Sequence, residues 1–419
     1  MENQRLLLYL ALGFLGLLIW QSWLADYATP PEPVADGAPT VEGAPAGADL
    51  PGAPPAAVAP DDDLPGVPGE EGGTATVPAA PASADGAVSA ELVRVRTDVV
   101  DVGIDPVGAT IVDVALLDYD VSVDEPVPFR LVSNDPARYL VAQSGLQSTA
   151  GTPAPTHREP MRAEGAEHAL ADGQESLAVP FVWEEDGVRV TKTLTFSRDS
   201  YEVGVDYRVE NGSDAPYTVN QYRQLKRKPG TKDERQQFIN TYIGGVLSTP
   251  EDVYEKITFS DMEDANLDAP ATDGWVAMIQ HYFAAAWIPR EAEVNTAYTR
   301  HLPAENRYLI GLVSAPVTVA PGETRELGST AYIGPKIQDR LAAAAPNLEL
   351  TVDYGFLTII AQPLFWLLQK IHSVIGNWGF AIILLTFLIK AAFYKLSEAG
   401  YRSMARMKKQ IGRASCRER

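Results

Sequence analysis

Thr386, Lys390, Tyr394 and Ser397 recur at spacings of four, four and three in "AIILLTFLIKAAFYKL" (381–396) and the residue after it, an otherwise apolar run. That spacing puts all four on one face of a helix. A cation there has two readings. It is a snorkelling anchor whose ammonium reaches the membrane surface, or it is the working charge of a polar cavity inside the bilayer. Lys390 lies roughly 18 Å along a helix from Trp378, close enough to one end for either. Elsewhere the chemistry is sparse. His157, His168, His281, His301 and His372 show no metal-ligand spacing. There is no Gly-rich phosphate loop, no G-x-S-x-G and no H-E-x-x-H. Cys416 stands alone, which excludes a disulfide framework and a cysteine metal site. No enzyme class is indicated, and no cofactor or metal is expected. "LKRKPGTKDER" (225–235) reads as a solvated basic loop rather than a partner site.

The elements that must position Lys390 begin at the other end of the chain. Residues 6–23, "LLLYLALGFLGLLIWQSW", match the roughly 20 apolar residues a bilayer core requires, with Trp20 and Trp23 at the interfacial end. The run is too long for a signal core of about 7 to 15 residues, and no small-x-small cleavage site follows, so it reads as an uncleaved anchor. Arg5 precedes it, whereas no Lys or Arg occurs between Leu6 and Val93. Between Lys395 and Lys409 five basic residues face one acid, Glu398. Positive charge at both ends places both in the cytoplasm and exports what lies between. That orientation requires one further span, not two. Residues 355–373 carry Thr358, Gln362, Gln369 and Ser373 within about 60° of one another on a helix, with Pro363 expected to kink it. They read as an amphipathic helix in the outer interface, and 378–394 as the second span.

Between the membrane segments the texture changes twice. Residues 24–90 are Ala, Pro, Gly and acids, including "PDDDLPG", and read as a flexible, solvated tether. From Glu91 onward, alternating β-branched segments predict an antiparallel β-sandwich over 91–350, with a hairpin at the Asp186-Gly187 turn. "PKIQDRLAAAAPN" predicts its closing helix, started near Pro335 and stopped by Pro346. A net charge of −21 at pH 7 and a pI of about 4.6 exclude a nucleic-acid binder, which needs a basic face.

Four stretches together resemble the YidC-type (YidC/Oxa/Alb) membrane protein insertases of Gram-negative bacteria. They are "NQRLLLYLALGFLGLLIWQSW", "GWVAMIQHYFAAAWIP", the run from "IGPKIQDRL" to "FAIILLTF" (333–387), and "YRSMARMKKQ". The resemblance implies a membrane protein whose exported domain is an all-β supersandwich, flanked by the first two of six transmembrane helices. It implies an inner-membrane location, with the domain in the periplasm and the N-terminus (1–5) in the cytoplasm. Nascent inner-membrane proteins, a Sec-type translocon and the lipid bilayer are the implied partners, and nucleic acid is not among them. It places Lys390 where the family carries a groove arginine, so that Lys390, Thr386 and Tyr394 line a substrate groove, while Thr358, Gln362, Pro363 and Gln369 belong to an interfacial helix. Two departures stand out: lysine for arginine, and Lys395 where proline is common. Residues 395–410 would begin a cytoplasmic helical hairpin. Residues 411–419, "IGRASCRER", do not resemble the family and read as a non-native tail on a chain too short to insert proteins alone. A membrane-anchored carbohydrate-binding or sugar-modifying β domain is the alternative. A cleft with paired carboxylates and stacked aromatics would favour it.

Overall fold

The computed structural model describes residues 63–66, 91–122, 126–148, 151–230, 242–353, 358–395 and 397–404. The 6–23 anchor, most of the 24–90 tether and residues 405–419 lie outside the described residues.

Alternation of apolar and polar side chains builds the strands in chain order. The first five are β1 (Val93–Arg96), β2 (Val100–Asp105), β3 (Thr110–Asp120), β4 (Pro128–Ser133) and β5 (Leu140–Ser148). Two short strands, β6 (Arg162–Ala163) and β7 (Glu167–Ala169), precede β8 (Ser176–Glu185), β9 (Val188–Ser197), β10 (Glu202–Asn211) and β11 (Tyr217–Arg227). Then come β12 (Gly244–Ser248), β13 (Glu255–Ile257), helix α1 (Phe259–Asp264), β14 (Asp268–Pro270), β15 (Trp275–Ile279) and β16 (Phe283–Pro289). The last strands are β17 (Asn295–Leu302), β18 (Arg307–Ser314), β19 (Val317–Val319) and β20 (Thr324–Pro335).

The strands form two sheets. The larger has 11 strands in the order β14-β17-β18-β11-β5-β4-β3-β2-β1-β7, with β19 beside β11; the smaller has 9, ordered β13-β12-β15-β16-β20-β10-β9-β8-β6. Described pairings are antiparallel except β1 with β7. β9 shows how sequence sets the register: Val188, Val190, Leu194 and Phe196 turn inward and are buried, as a period of two requires. The expected β8–β9 hairpin forms, with Glu185 opposite Val188 and positive φ at both Asp186 (48°) and Gly187 (78°). That backbone suits a two-residue hairpin turn.

Trp287, Phe181, Phe196, Ile104 and Leu116 are fully buried in the core between the sheets. Each contributes about 1.5–3 kcal/mol on removal from water, and truncating a buried Phe to Ala costs about 3–5 kcal/mol. One basic side chain in this core is held by hydrogen bonds to a turn and a strand of the opposite sheet. Lys192, on β9 of the smaller sheet, donates to the carbonyl oxygens of Gly108 (2.8 Å) and of Ser144 (3.1 Å) on β5 of the larger. Its ammonium lies 5.4 Å from the centre of the Tyr207 ring. Burial pulls its pKa down to about 7.

The C-terminal exit is clamped. Helix α2 (Gln338–Ala344) starts later than the sequence suggested, because Pro335 still belongs to β20. Leu341, Ala345 and Leu348 pack into the core. The following 3-10 turn, Leu348–Thr351, accepts a bond at the Thr351 carbonyl from Lys336 Nζ (3.0 Å), and the Trp275 indole donates to the Pro346 carbonyl (2.8 Å). Asp353, the last described residue before the membrane-type helices, is paired with Lys256.

Two readings need correction. The tether is not solvated throughout: Asp63 is buried, and Leu64 packs on a second apolar cluster of Tyr222, Tyr298, Leu309 and Val313. Nor is 225–235 wholly a loop. Leu225, Lys226 and Arg227 complete β11 and are buried. In each case a partner distant in sequence supplies what local composition denies.

Lys192 makes a pH signature. A base whose folded pKa is lowered is bound by fewer protons in the folded than in the unfolded state between about pH 7 and its unfolded value near 10.4. Stability therefore rises with pH in that window, by up to about 1.4 kcal/mol per unit from this group. Lys336, lowered to about 8 by burial, adds a slope of the same sign. In thermal melts between pH 7 and 9.5, Lys192→Met is expected to remove part of the rise, while Lys336→Met retains the part due to Lys192. An unchanged slope in Lys192→Met would show that Lys192 is charged in the fold.

Candidate functional site

Two helices follow the domain. Helix α3 (Thr358–Ile375) contains Pro363, whose missing N–H leaves the Ile359 carbonyl without its usual helical donor. Its end is set by Gly376, whose N–H bonds the His372 carbonyl (2.7 Å), and the next helix is capped by Asn377, whose side chain accepts from the Phe380 N–H (3.2 Å). Glycine after one helix and asparagine before the next are the favoured residues at those positions. The corner is fixed further by the His372 and Trp378 rings, stacked at 3.7 Å with 9° between planes. Helix α4 (Trp378–Ala392) then packs on α3.

The expected 378–394 span is shorter in the structure. α4 ends at Ala392 after 15 residues, about 22 Å at 1.5 Å per residue, against a hydrocarbon core near 30 Å. Among the described residues no single helix is long and apolar enough to cross a membrane. α4 and helix α5 (Ser397–Met404) together meet length and composition, bent by 60° at the break between them. The C-cap of α4 is Phe393 (φ −88°, ψ 3°), whose N–H bonds the Ile389 carbonyl while its own carbonyl accepts from the Ser397 N–H.

This break decides which candidate residues come together. Thr386 and Lys390 stay one turn apart on the same face of α4, both exposed. Tyr394 lies past the end of α4, so the regular spacing that linked it to Lys390 is interrupted. The Thr386 hydroxyl donates to the Ile382 carbonyl at 2.8 Å. It is thus satisfied within its own helix and compatible with an apolar medium. Lys390 occupies the last turn, where a cation is favoured by the helix dipole. On α3, Gln362, Pro363, Gln369 and Ser373 are exposed, and so are Ile360 and Trp366; the side chain of Thr358 lies outside the described residues. The polar stripe is present, but apolar side chains face outward beside it.

On the β domain, a cleft of about 430 Å³ is lined by Glu159, Arg162, Trp183, Glu184 and Glu185 among others. Carboxylates are there, but Trp183 is only 6 % exposed, so its ring presents no face for a sugar to stack on. Among the described residues, no group of three or more His, Cys, Asp or Glu is placed to hold a metal ion. Sequence reasoning missed a different cluster, in which Asp63 meets His157, Arg158 and Lys226. The available signal was the polar residues at both parities of β11, "YTVNQYRQLKR", which an ordinary one-faced strand does not show.

A two-sheet sandwich that hands its last strand, through a clamped turn, to paired apolar helices defines a class: a globular β domain mounted on membrane-seeking helices. A family model described as the YidC periplasmic domain matches residues 92–367. The membrane protein insertase YidC of Nitrosococcus oceani is 40% identical over 418 residues, covering 98% of this chain and 72% of that protein. That of Thioalkalivibrio sulfidiphilus is 44% identical over 419 residues, covering 97% and 72%. Among solved structures, a galactose mutarotase related enzyme from Lactobacillus acidophilus aligns at TM-score 0.39 and 12% identity, over 57% of this chain and 96% of that one. That likeness is too distant to bear on function. The chain belongs to the YidC family of membrane protein insertases.

Proposed function

We propose that the protein assists the insertion of nascent membrane proteins into the bacterial inner membrane, and does no covalent chemistry. The observation that carries this is the extent of the match: about 40% identity runs over 98% of the chain, through the β domain and the helices alike. A sugar-binding β domain on an unrelated anchor would match through its domain alone.

A polar segment entering hydrocarbon meets the full cost of its unmatched backbone groups, several kcal/mol each. A wet face in the membrane lowers that cost, and a fixed cation on it attracts acidic segments. Lys390 supplies the cation. Its own burial near a bilayer centre would cost about 2.5–3.5 kcal/mol, less toward an interface. Because Thr386 is bonded within α4, it contributes shape to this face and little polarity. Lysine in place of arginine keeps the charge and gives up two-point binding of carboxylates. Apolar segments then leave sideways into lipid, where burial at about 25 cal/mol per Å² drives them. Both chain ends are cytoplasmic, the sandwich is periplasmic, and α3 lies in the outer interface with Gln362 and Gln369 toward water. A Sec-type translocon is a partner in this reading.

Topology is tested by protease added outside spheroplasts. The β domain is expected to be degraded and a tag at the C-terminus spared; a protected domain would overturn the orientation. The groove reading is tested on the chain extended to the length of its relatives, in cells depleted of the native insertase, by protease protection of a newly made single-span substrate with an acidic translocated segment. Lys390→Arg and Thr386→Val should insert it at the unmodified rate, whereas Lys390→Ala and Lys390→Glu should slow it several-fold. Unchanged insertion by Lys390→Ala and Lys390→Glu would leave Lys390 as a helix-end anchor.

A further inference from the structure

The outer face of the larger sheet carries a built socket, independent of the insertase reading. Its floor is two tyrosines laid over glycines of the neighbouring strands. Tyr222 pairs across from Gly145, and Tyr298 across from Gly311. A β-carbon at either glycine would come within 2.6–2.7 Å of the tyrosine hydroxyl, so no larger residue leaves room for the rings. Leu309 and Val313 complete an apolar patch on which Leu64 sits. Each tyrosine hydroxyl is held: Tyr298 donates to Gln224 Oε1 (2.7 Å), and Tyr222 accepts from the His157 backbone N–H (2.7 Å) and shares a hydrogen with His157 Nδ1 (2.7 Å).

The wall beside this floor is cationic. Lys226 Nζ lies 3.0 Å and His157 Nε2 3.3 Å from Asp63 Oδ2, and Arg158 pairs with the other carboxylate oxygen. Lys226 and His157 side chains are each 5% exposed, so both are withdrawn from solvent. Glu305 balances Lys226 at 2.9 Å and is itself held by Arg307, whose guanidinium covers the Tyr139 ring at 3.6 Å. Burial alone would raise the Asp63 pKa. The hydrogen bond and charge of His157, with the charges of Lys226 and Arg158, outweigh it and hold the carboxyl well below the usual carboxylate range. A cation wall next to an apolar floor has one natural complement: a carboxylate followed by a branched apolar side chain.

We propose that this socket is a peptide-recognition site for an Asp-Leu segment, and that the chain's own Asp63 and Leu64 fill it as an intramolecular latch, tying the tether to the domain at one point. The occupant reaches partners 94, 95 and 163 residues away in sequence, with 24 residues of tether between Gly66 and Glu91. Two residues that touch through one charge and one side chain form a reversible contact. Their hold is helped by being on the same chain, at an effective concentration set by the intervening 24 residues. A free peptide with the same two groups must therefore compete poorly with the unmodified chain and bind well once the latch is removed.

The test uses the full chain in detergent and a fluorescein-labelled peptide of residues 60–66, followed by anisotropy. The Asp63→Ala/Leu64→Ala chain is expected to bind the peptide saturably, and the unmodified chain at least tenfold more weakly. Replacing the third aspartate of the peptide by asparagine should abolish binding to the latch-free chain, while replacing the first should not; this arm leaves the protein's folding untouched. Adding Lys226→Met to the latch-free chain should weaken binding at least tenfold. Equal affinity for both chains, no binding to the latch-free chain, or indifference to which aspartate is replaced would each overturn the proposal. A cycle of Asp63→Asn and Lys226→Met read by thermal midpoint gives a second measure. Non-additive shifts are expected, and strictly additive ones would deny the contact.

Discussion

Two sheets laid face to face leave no room for water between them, and the rest of the domain answers to that exclusion. Polar groups that enter the gap are met from the opposite sheet, from a loop or from a nearby strand of their own sheet. Lys192 crosses from the smaller sheet to the Ser144 carbonyl of the larger. Gln221 on β11 reaches the Ser329 hydroxyl on β20 at 3.3 Å. Arg223, with no exposed side-chain surface, is met at one end by Glu293 and Asn295. The Arg223–Glu293 pair does little for net stability, since a buried ion pair barely offsets its desolvation. Lys192 and Gln221 join the two sheets, while Arg223 ties β11 to Asn295 on β17 of its own sheet. The clamped exit at residues 346–353 is tied to the same packed domain by Lys336 and Trp275.

The same exclusion operates a second time on the outside of the larger sheet. Polar-out alternation would leave Tyr222, Gln224 and Lys226 facing water, yet all three are buried. They are covered by the loop that carries His157 and by a tether segment from far upstream. The domain therefore ends one layer beyond its sheet. The helices obey the opposite rule. Phe380, Ile383 and Phe387 are 65–67% exposed on α4, a surface that water penalises and hydrocarbon does not. Within one chain, burial in the β domain and exposure on α4 follow from the same preference of apolar atoms, applied to two solvents.

Which parts were legible in the sequence follows from how local their causes are. The β8–β9 hairpin is written in Asp186-Gly187 and its flanking alternation, all within reach of one turn. The stop of α2 is written in Pro346. The strand texture over 91–350 required only a period of two. Asp63 and Lys226 were misread because a charge looks solvated until its partner is known, and here the partners are 163 residues apart. Lys226 was hidden further by its neighbours, since "LKRK" resembles a basic loop when only its composition is seen. The end of α4 was illegible for another reason. Ala391, Ala392, Phe393 and Tyr394 continue the apolar run without Gly or Pro, so hydropathy cannot register that the helix ends at Ala392.

That helix end bears on what Lys390 is for. A snorkelling lysine needs a continuous helix end at the surface and nothing else on its face. A groove lysine needs polar neighbours that persist when lipid replaces water. The Thr386 hydroxyl donates to the Ile382 carbonyl, so toward a visitor it can only accept. Tyr394 lies beyond the end of α4 and its C-cap Phe393. One turn beyond Thr386, the face of α4 presents the ammonium of Lys390 in its last turn, just before the 60° bend between α4 and α5. A helix C-terminus is where a cation is least costly to hold, and a bend is where backbone carbonyls are freed to meet water. Charge, helix end and bend coincide within four residues. Under the proposed function, that coincidence puts the hydrated site at the end of α4 rather than in a stripe along it.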